Sequence, residues 1–252
     1  LSLLLVFGFS FVGSNIVRFA GFSSDDNRWL KFQYPIIGIS FISAFLYPLA
    51  LFHLLNSITL KILAFIIFTL GLIYGLKILK LLIQISKSKA VTIGSGLNKA
   101  LLLVIISLVV CYFLFSIGPT TNADSIDYHL GIAISIINNG GITVTPEWFH
   151  SRLAGSGEVL NALGLVIGAE QFGPLMQFFS LISIASIIYF IKGNYDTSRN
   201  DHTWKLTLTL ALLCSPVFIF LTGSAKPQLL PLAMTSLAMT LLINPESYKY
   251  KV

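Results

Sequence analysis

Seven mostly apolar stretches, each close to twenty residues long, leave this chain few ways to fold. They occupy residues 1–19, 34–55, 60–83, 100–117, 173–191, 204–222 and 228–243. A helix needs about 20 such residues to cross roughly 30 Å of hydrocarbon at about 1.5 Å of rise each. Of the 252 residues, 55% are hydrophobic and 10% charged, against roughly 25% charged in an ordinary soluble domain. One soluble core cannot hide that much apolar surface. The expected fold is therefore all-α, a polytopic transmembrane helical bundle of about seven spans. The third span carries Lys77 and Lys80 in its last turns, where they can snorkel to the headgroups. The seventh is short, with Pro227 and Pro231 shaping its start.

The charges give an orientation. A net charge of +6 would suit nucleic acid if it formed a patch, but Lys and Arg here sit in short segments between apolar runs, as topology signals do, so no nucleic-acid partner is expected. If the segment between spans three and four is cytoplasmic, 13 of the 16 basic residues fall on that side. Only Lys61, Arg152 and Lys226 fall outside. The expected location is a plasma (inner) membrane, crossed several times. The chain then divides into a three-span segment with a basic cytoplasmic loop, 1–99, and a second part, 100–252, that holds an extracytoplasmic loop, 118–172. It opens at Leu1 rather than Met, and we expect a piece of a longer protein. Cys111 and Cys214 lie inside apolar runs and read as packed thiols, without disulfide or zinc spacing. No Walker loop, dinucleotide fingerprint, H-E-x-x-H or G-x-S-x-G is present.

Half of the ten acids are in the 118–172 loop: Asp124, Asp127, Glu147, Glu158 and Glu170. His129 and His150 are there too, with one base, Arg152. A connection of that length is usually functional. Its apolar runs, 130–137 and 159–167, are expected as helices lying along the outer membrane surface. Pro119 ends the fourth span, and Thr121 or Asn122 is placed to cap the next helix. If residues from Asp124 onward are α-helical, Asp124, Asp127, Gly131, Ser135 and Asn138 share a stripe, opposite Ile126, Leu130, Ala133 and Ile137. The two carboxylates are then one turn apart. Such a pair can hold a divalent metal ion (Mg or Mn), or one member can take a proton from a hydroxyl. Both aspartates also suit a helix start through capping and the macrodipole. His129 points away from Asp127 on such a helix.

Glu158 opens the second surface helix, either as a solvated first-turn residue or as a further acid completing the site. Arg152, beside His150, matches phosphate geometry, and it can equally pair with Glu147 or Glu158. Lys226 is the only base between spans six and seven, suited to a lipid phosphate or to snorkelling, with Ser224 placed to cap the last helix. His53 and Asn56 read as interfacial, and His202 as solvated.

The stretch Asn122-Ala-Asp-Ser-Ile-Asp-Tyr-His-Leu, on the outer side of a span, resembles the first-loop acidic motif of the GT-C glycosyltransferases. These are multi-span enzymes that take sugar from a polyprenyl-phosphate carrier outside the cytoplasm. The resemblance continues through Asn139-Gly-Gly-Ile, then His150-Ser-Arg-Leu-Ala-Gly-Ser-Gly-Glu-Val-Leu-Asn-Ala-Leu-Gly, then Ser224-Ala-Lys-Pro-Gln. It covers residues 118–231 and departs from the family in two respects: the loop there follows the first span and here the fourth, and the further spans and soluble domain expected after it are not in this sequence. It implies that Asp127 or Asp124 serves as base or metal-linked catalytic group; beside that, the residues' own chemistry makes His129, Glu158, Arg152, Lys226 and His150 the candidates toward substrate. The implied activity is inverting glycosyl transfer, with membrane lipid and a polyprenyl-phosphate-linked sugar as partners. The sequence leaves the oligomeric state open. Two alternatives stand beside this: a transporter or flippase built on spans five to seven, and a non-catalytic membrane subunit. Against a transporter, spans two, four and five have no charges at their centres.

Overall fold

The computed structural model describes residues 1–22, 28–86, 96–190 and 200–243, and all the regular structure in them is helical. Lys87, Lys89, Lys192, Arg199, Lys249 and Lys251, on which the charge bias partly rests, lie outside the described residues. Ten α-helices follow in chain order: α1 (Ser2–Phe19), α2 (Tyr34–Leu51), α3 (Ser57–Ser86), α4 (Gly96–Ile117), α5 (Gly131–Asn139), α6 (Ser156–Leu165), α7 (Phe172–Phe190), α8 (Asn200–Leu213), α9 (Pro216–Thr222) and α10 (Leu229–Ile243). Short 3-10 turns at Arg28–Gln33 and Phe149–Leu153 and a π turn at Ser125–Leu130 complete them.

Among the described residues five helices are long and apolar enough to cross a membrane: Ser2–Phe19, Trp29–Leu51, Ser57–Lys80, Gly96–Ile117 and Phe172–Phe190. The chain is a multi-pass membrane protein. The expected sixth span is not one helix. It bends by 61° between α8 and α9, where Ser215 is extended and Pro216, at the start of α9, has no N–H to continue the ladder. The expected seventh is α10, whose 15 residues rise only about 22 Å.

α7 is the central post. Within its span 78% of residues are buried, against 17% for α3 and α4, which therefore present most of their surface to lipid. Cys111 and Cys214 are exposed on that outer surface, not packed inside as expected. In a bilayer an apolar side chain has no need of the core, so hydropathy alone does not say which way it faces. α1, α2 and α3 approach closely through small residues: a Cβ on Gly38 would collide with the Phe9 carbonyl. The 1–99 and 100–252 segments share one core, since α7 packs on α1 and α2, and α6 packs on α2 and α3.

Polar groups pin the bundle where water cannot reach. Gln33 is fully buried, and its Nε2 donates to Ser186 Oγ at 2.8 Å and to the Ser183 carbonyl at 3.2 Å. The Ser183 hydroxyl donates to Gln33 Oε1 in return. At the opposite end of the bundle the turn after α2 meets the one after α5. Leu55 N–H donates to the Gly140 carbonyl at 2.8 Å and Ile142 N–H to Ala50 at 3.0 Å. His53 sits at a φ of 56° in the tight turn that allows this.

Candidate functional site

The acidic segment leaves α4 at Ile117, two residues before Pro119. Asn122 Oδ1 accepts the Ser125 N–H at 3.2 Å and so caps the next helix. That helix opens with the π turn Ser125–Leu130, not with α geometry. Ser125 and His129 are buried, in line with Ile132, Ala133 and Ile136. The apolar stripe expected opposite the aspartates is thus displaced by one residue, and Ile126 is 52% exposed. Hydrophobicity pointed to the wrong stripe because the buried face contains two polar side chains whose partners come from distant segments.

His129 meets Glu158. Its Nδ1 lies 2.7 Å from Glu158 Oε1, and the side chains are 7% and 3% exposed. The other oxygen, Oε2, accepts the Gly155 N–H at 2.8 Å, the reach-back half of a capping box. Glu158 is neither solvated nor joined to the aspartates. α6, expected along the surface, is buried on all sides from Gly157 to Gly164. Burial takes His129 and Glu158 out of the ligand-facing set and makes them the joint between the π turn and α6.

The turn after α9 docks on the same platform. Ala225 N–H donates to Ser125 Oγ at 3.1 Å, and the Ala225 carbonyl accepts Asn161 Nδ2 at 3.1 Å. Gln177 Oε1, from α7, accepts the Leu229 N–H at 2.8 Å and caps α10. Ser224 does not cap that helix as expected; it is buried and its hydroxyl donates to Leu221. A Cβ on Gly157 would run into the Pro227 ring, so α6 and the turn fit only with glycine there. Gln177 belongs to no motif, and Ser125 and Asn161 lie within the stretches that carry the resemblance without being candidate site residues there. Their one sequence signal is being polar within, or bordering, apolar runs.

Lys226 is held over this platform. Its Nζ donates to Asp124 Oδ2 at 2.6 Å and lies 5.2 Å from the centroid of Phe220. That hydrogen bond, and then the ammonium's charge, hold the Asp124 carboxyl below the usual carboxylate range. Asp127 is 72% exposed, and the nearest charge partner is His150, whose Nδ1 is 3.6 Å from Asp127 Oδ2. The Tyr128 ring stacks on His150 at 5.2 Å, and its hydroxyl donates to the Leu153 carbonyl at 3.3 Å. Burial, then the Glu158 charge, push the Tyr128 phenol up. Arg152 is exposed and, among the described residues, pairs with neither Glu147 nor Glu158.

The donor set does not fit a resident metal. The two aspartates face different partners, and an ammonium already occupies the Asp124 carboxylate. Among the described residues no three His, Cys, Asp or Glu side chains converge as ligands. Beside the Asp124–Lys226 pair a cleft of about 400 Å³ opens, lined by Phe115, Pro216, Ile219, Phe220 and Gly223, with Thr121 and Asn122 at its polar edge. The bend between α8 and α9 forms one wall.

Fold and platform define a multi-pass α-helical membrane protein with Asp124, Asp127, His129, His150, Glu158 and Lys226 gathered at one end of the bundle. The chain belongs to the DUF1420 family: it matches the DUF1420 N-terminal domain over residues 1–95 and 77–249, stretches that overlap at 77–95. No curated protein and no solved structure matches it.

Proposed function

We propose that this chain carries the donor and base site of a membrane glycosyltransferase, one that moves a sugar from a polyprenyl-phosphate carrier to an acceptor outside the cytoplasm. The observation that carries this is the meeting of three segments distant in sequence, around Asp124, Glu158 and Lys226, with an apolar cleft between the segments of Asp124 and Lys226. Asp127, the exposed carboxylate, takes the acceptor's hydroxyl proton as that oxygen attacks the anomeric carbon. The bond from that carbon to the lipid phosphate breaks on the opposite face, the phosphate leaves with the electron pair, and the configuration inverts. Lys226, released from Asp124, offsets the charge that grows on the phosphate. His150, 3.6 Å from Asp127, passes the proton on. The lipid's first isoprene units lie in the cleft along Phe115 and Phe220.

The test is turnover of a polyprenyl-phosphate sugar by the full-length protein in proteoliposomes. Asp127→Asn is expected to reduce it at least about a hundredfold, as loss of a general base does, with the folded protein unchanged. Full activity in that variant would remove the proposal. A flippase is the second reading, favoured by the 61° break that borders the cleft. It predicts scrambling of a fluorescent lipid phosphate without any acceptor, unaffected by Asp127→Asn.

A further inference from the structure

A second groove lies toward the end of the bundle away from the acidic segment. It encloses about 260 Å³ between α1, the turn before α2, α3, α4 and α7, with Phe7, Ser10, Tyr74, Val109 and Phe178 in its walls and Lys31 at its mouth. Phe11 packs edge-on to Tyr74, centroids 6.3 Å apart, and Lys77 Nζ lies 5.9 Å from the Phe11 centroid. Lys31 thus shares the groove with Tyr74, and Lys77 sits over Phe11, the ring that packs on Tyr74. Lys31 and Lys77 are both exposed, and among the described residues neither is in an ion pair. The walls from α3 and α4 belong to the two helices most open to lipid.

An apolar slot that opens to lipid, with two cations beside it that form no ion pair among the described residues, matches a molecule having an acyl chain and an anionic head. The charge bias of the chain places this end in the cytoplasmic leaflet, where anionic lipids concentrate. We propose that the groove is a binding site for an anionic phospholipid, its phosphodiester between Lys31 and Lys77 and one acyl chain along Phe7, Val109 and Phe178. The site shares no residue with the acidic platform and does not depend on the transferase proposal. Its role is to fix the α1–α3–α4–α7 packing on that side.

Thermal unfolding of the purified full chain in detergent tests this, with dioleoyl phosphatidylglycerol or dioleoyl phosphatidylcholine added. The phosphatidylglycerol is expected to raise the melting temperature by about 3 °C or more relative to phosphatidylcholine. The Lys31→Gln/Lys77→Gln variant loses that difference, and Lys99→Gln, outside the groove wall, keeps it. Val109→Trp, which fills the slot at unchanged charge, also loses it; should that variant not fold, the lysine pair decides. Equal shifts with both lipids, an equal loss in Lys99→Gln, or a full shift from glycerol phosphate alone would overturn the proposal.

Discussion

His129 and Glu158 are joined inside the protein: Nδ1 of one lies 2.7 Å from Oε1 of the other, and both side chains are more than nine-tenths buried. This contact holds the π turn of the acidic segment against α6. Glu158→Ala would leave a buried imidazole without its partner and Gly155 without its cap, at a cost of about 1–3 kcal/mol. Glu158→Gln keeps an acceptor for Gly155 and is expected to cost less. Thermal unfolding of the two variants checks the order. Equal melting temperatures for Glu158→Ala and the parent would show that the joint does not hold the platform.

Acid should loosen the Asp124–Lys226 contact in a defined direction. The Asp124 carboxyl is held low by Lys226. A depressed folded-state pKa adds stability above the unfolded value, near 3.9, and that stability is lost as pH falls through the folded value. The difference in melting temperature between the parent and Asp124→Asn should hold steady from neutral pH down to about 5, then vanish in stronger acid. Because Asp124 is exposed, molar salt should shrink the same difference at neutral pH. A difference that grows on acidification would contradict the ion pair.

Gly157 sets how closely the turn after α9 can approach α6. Gly157→Ala forces the Pro227 ring away, and with it Ala225 from Ser125 and Asn161, an overpacking cost of about 1–3 kcal/mol. Gly96→Ala is the control, since an added Cβ there meets nothing within 4 Å. Side-by-side melting curves should show a loss only at Gly157.

Sidedness can be read by labelling. Ser125 is unsuitable for a reporter cysteine because it is fully buried; Asn138 and His202 are exposed. In a background with Cys111→Ser and Cys214→Ser, an impermeant thiol reagent applied to intact cells should label Asn138→Cys and spare His202→Cys. The reverse pattern would invert the topology drawn from the basic residues.

The helical class, the positions of α1 to α4 and α7, and the concentration of charge in one loop were all legible in the chain. Hydropathy reports directly on the cost of placing backbone and side chains in lipid, so long apolar runs can be little else. In the expected sixth span a window average does not register the 61° bend that comes with one extended residue before Pro216. The candidate site was legible as an inventory but not as a geometry. Asp124, Asp127, His129, His150, Glu158 and Lys226 stand out by type, and their pairing does not. Asp124 and Asp127 are three residues apart and were read as a pair, yet one faces Lys226 and the other His150.

What the sequence determined by itself is whatever depends on each residue's own transfer energy: which segments enter a membrane and which carry charge. Which polar groups meet was decided by the tertiary fold. A buried serine, histidine or asparagine must find a partner to offset its lost water. Ser125 finds it at Ala225, His129 at Glu158, and Asn161 at Ala225. Those partners are brought by helices whose packing is set by small residues and by van der Waals fit, and no local pattern in the chain records that.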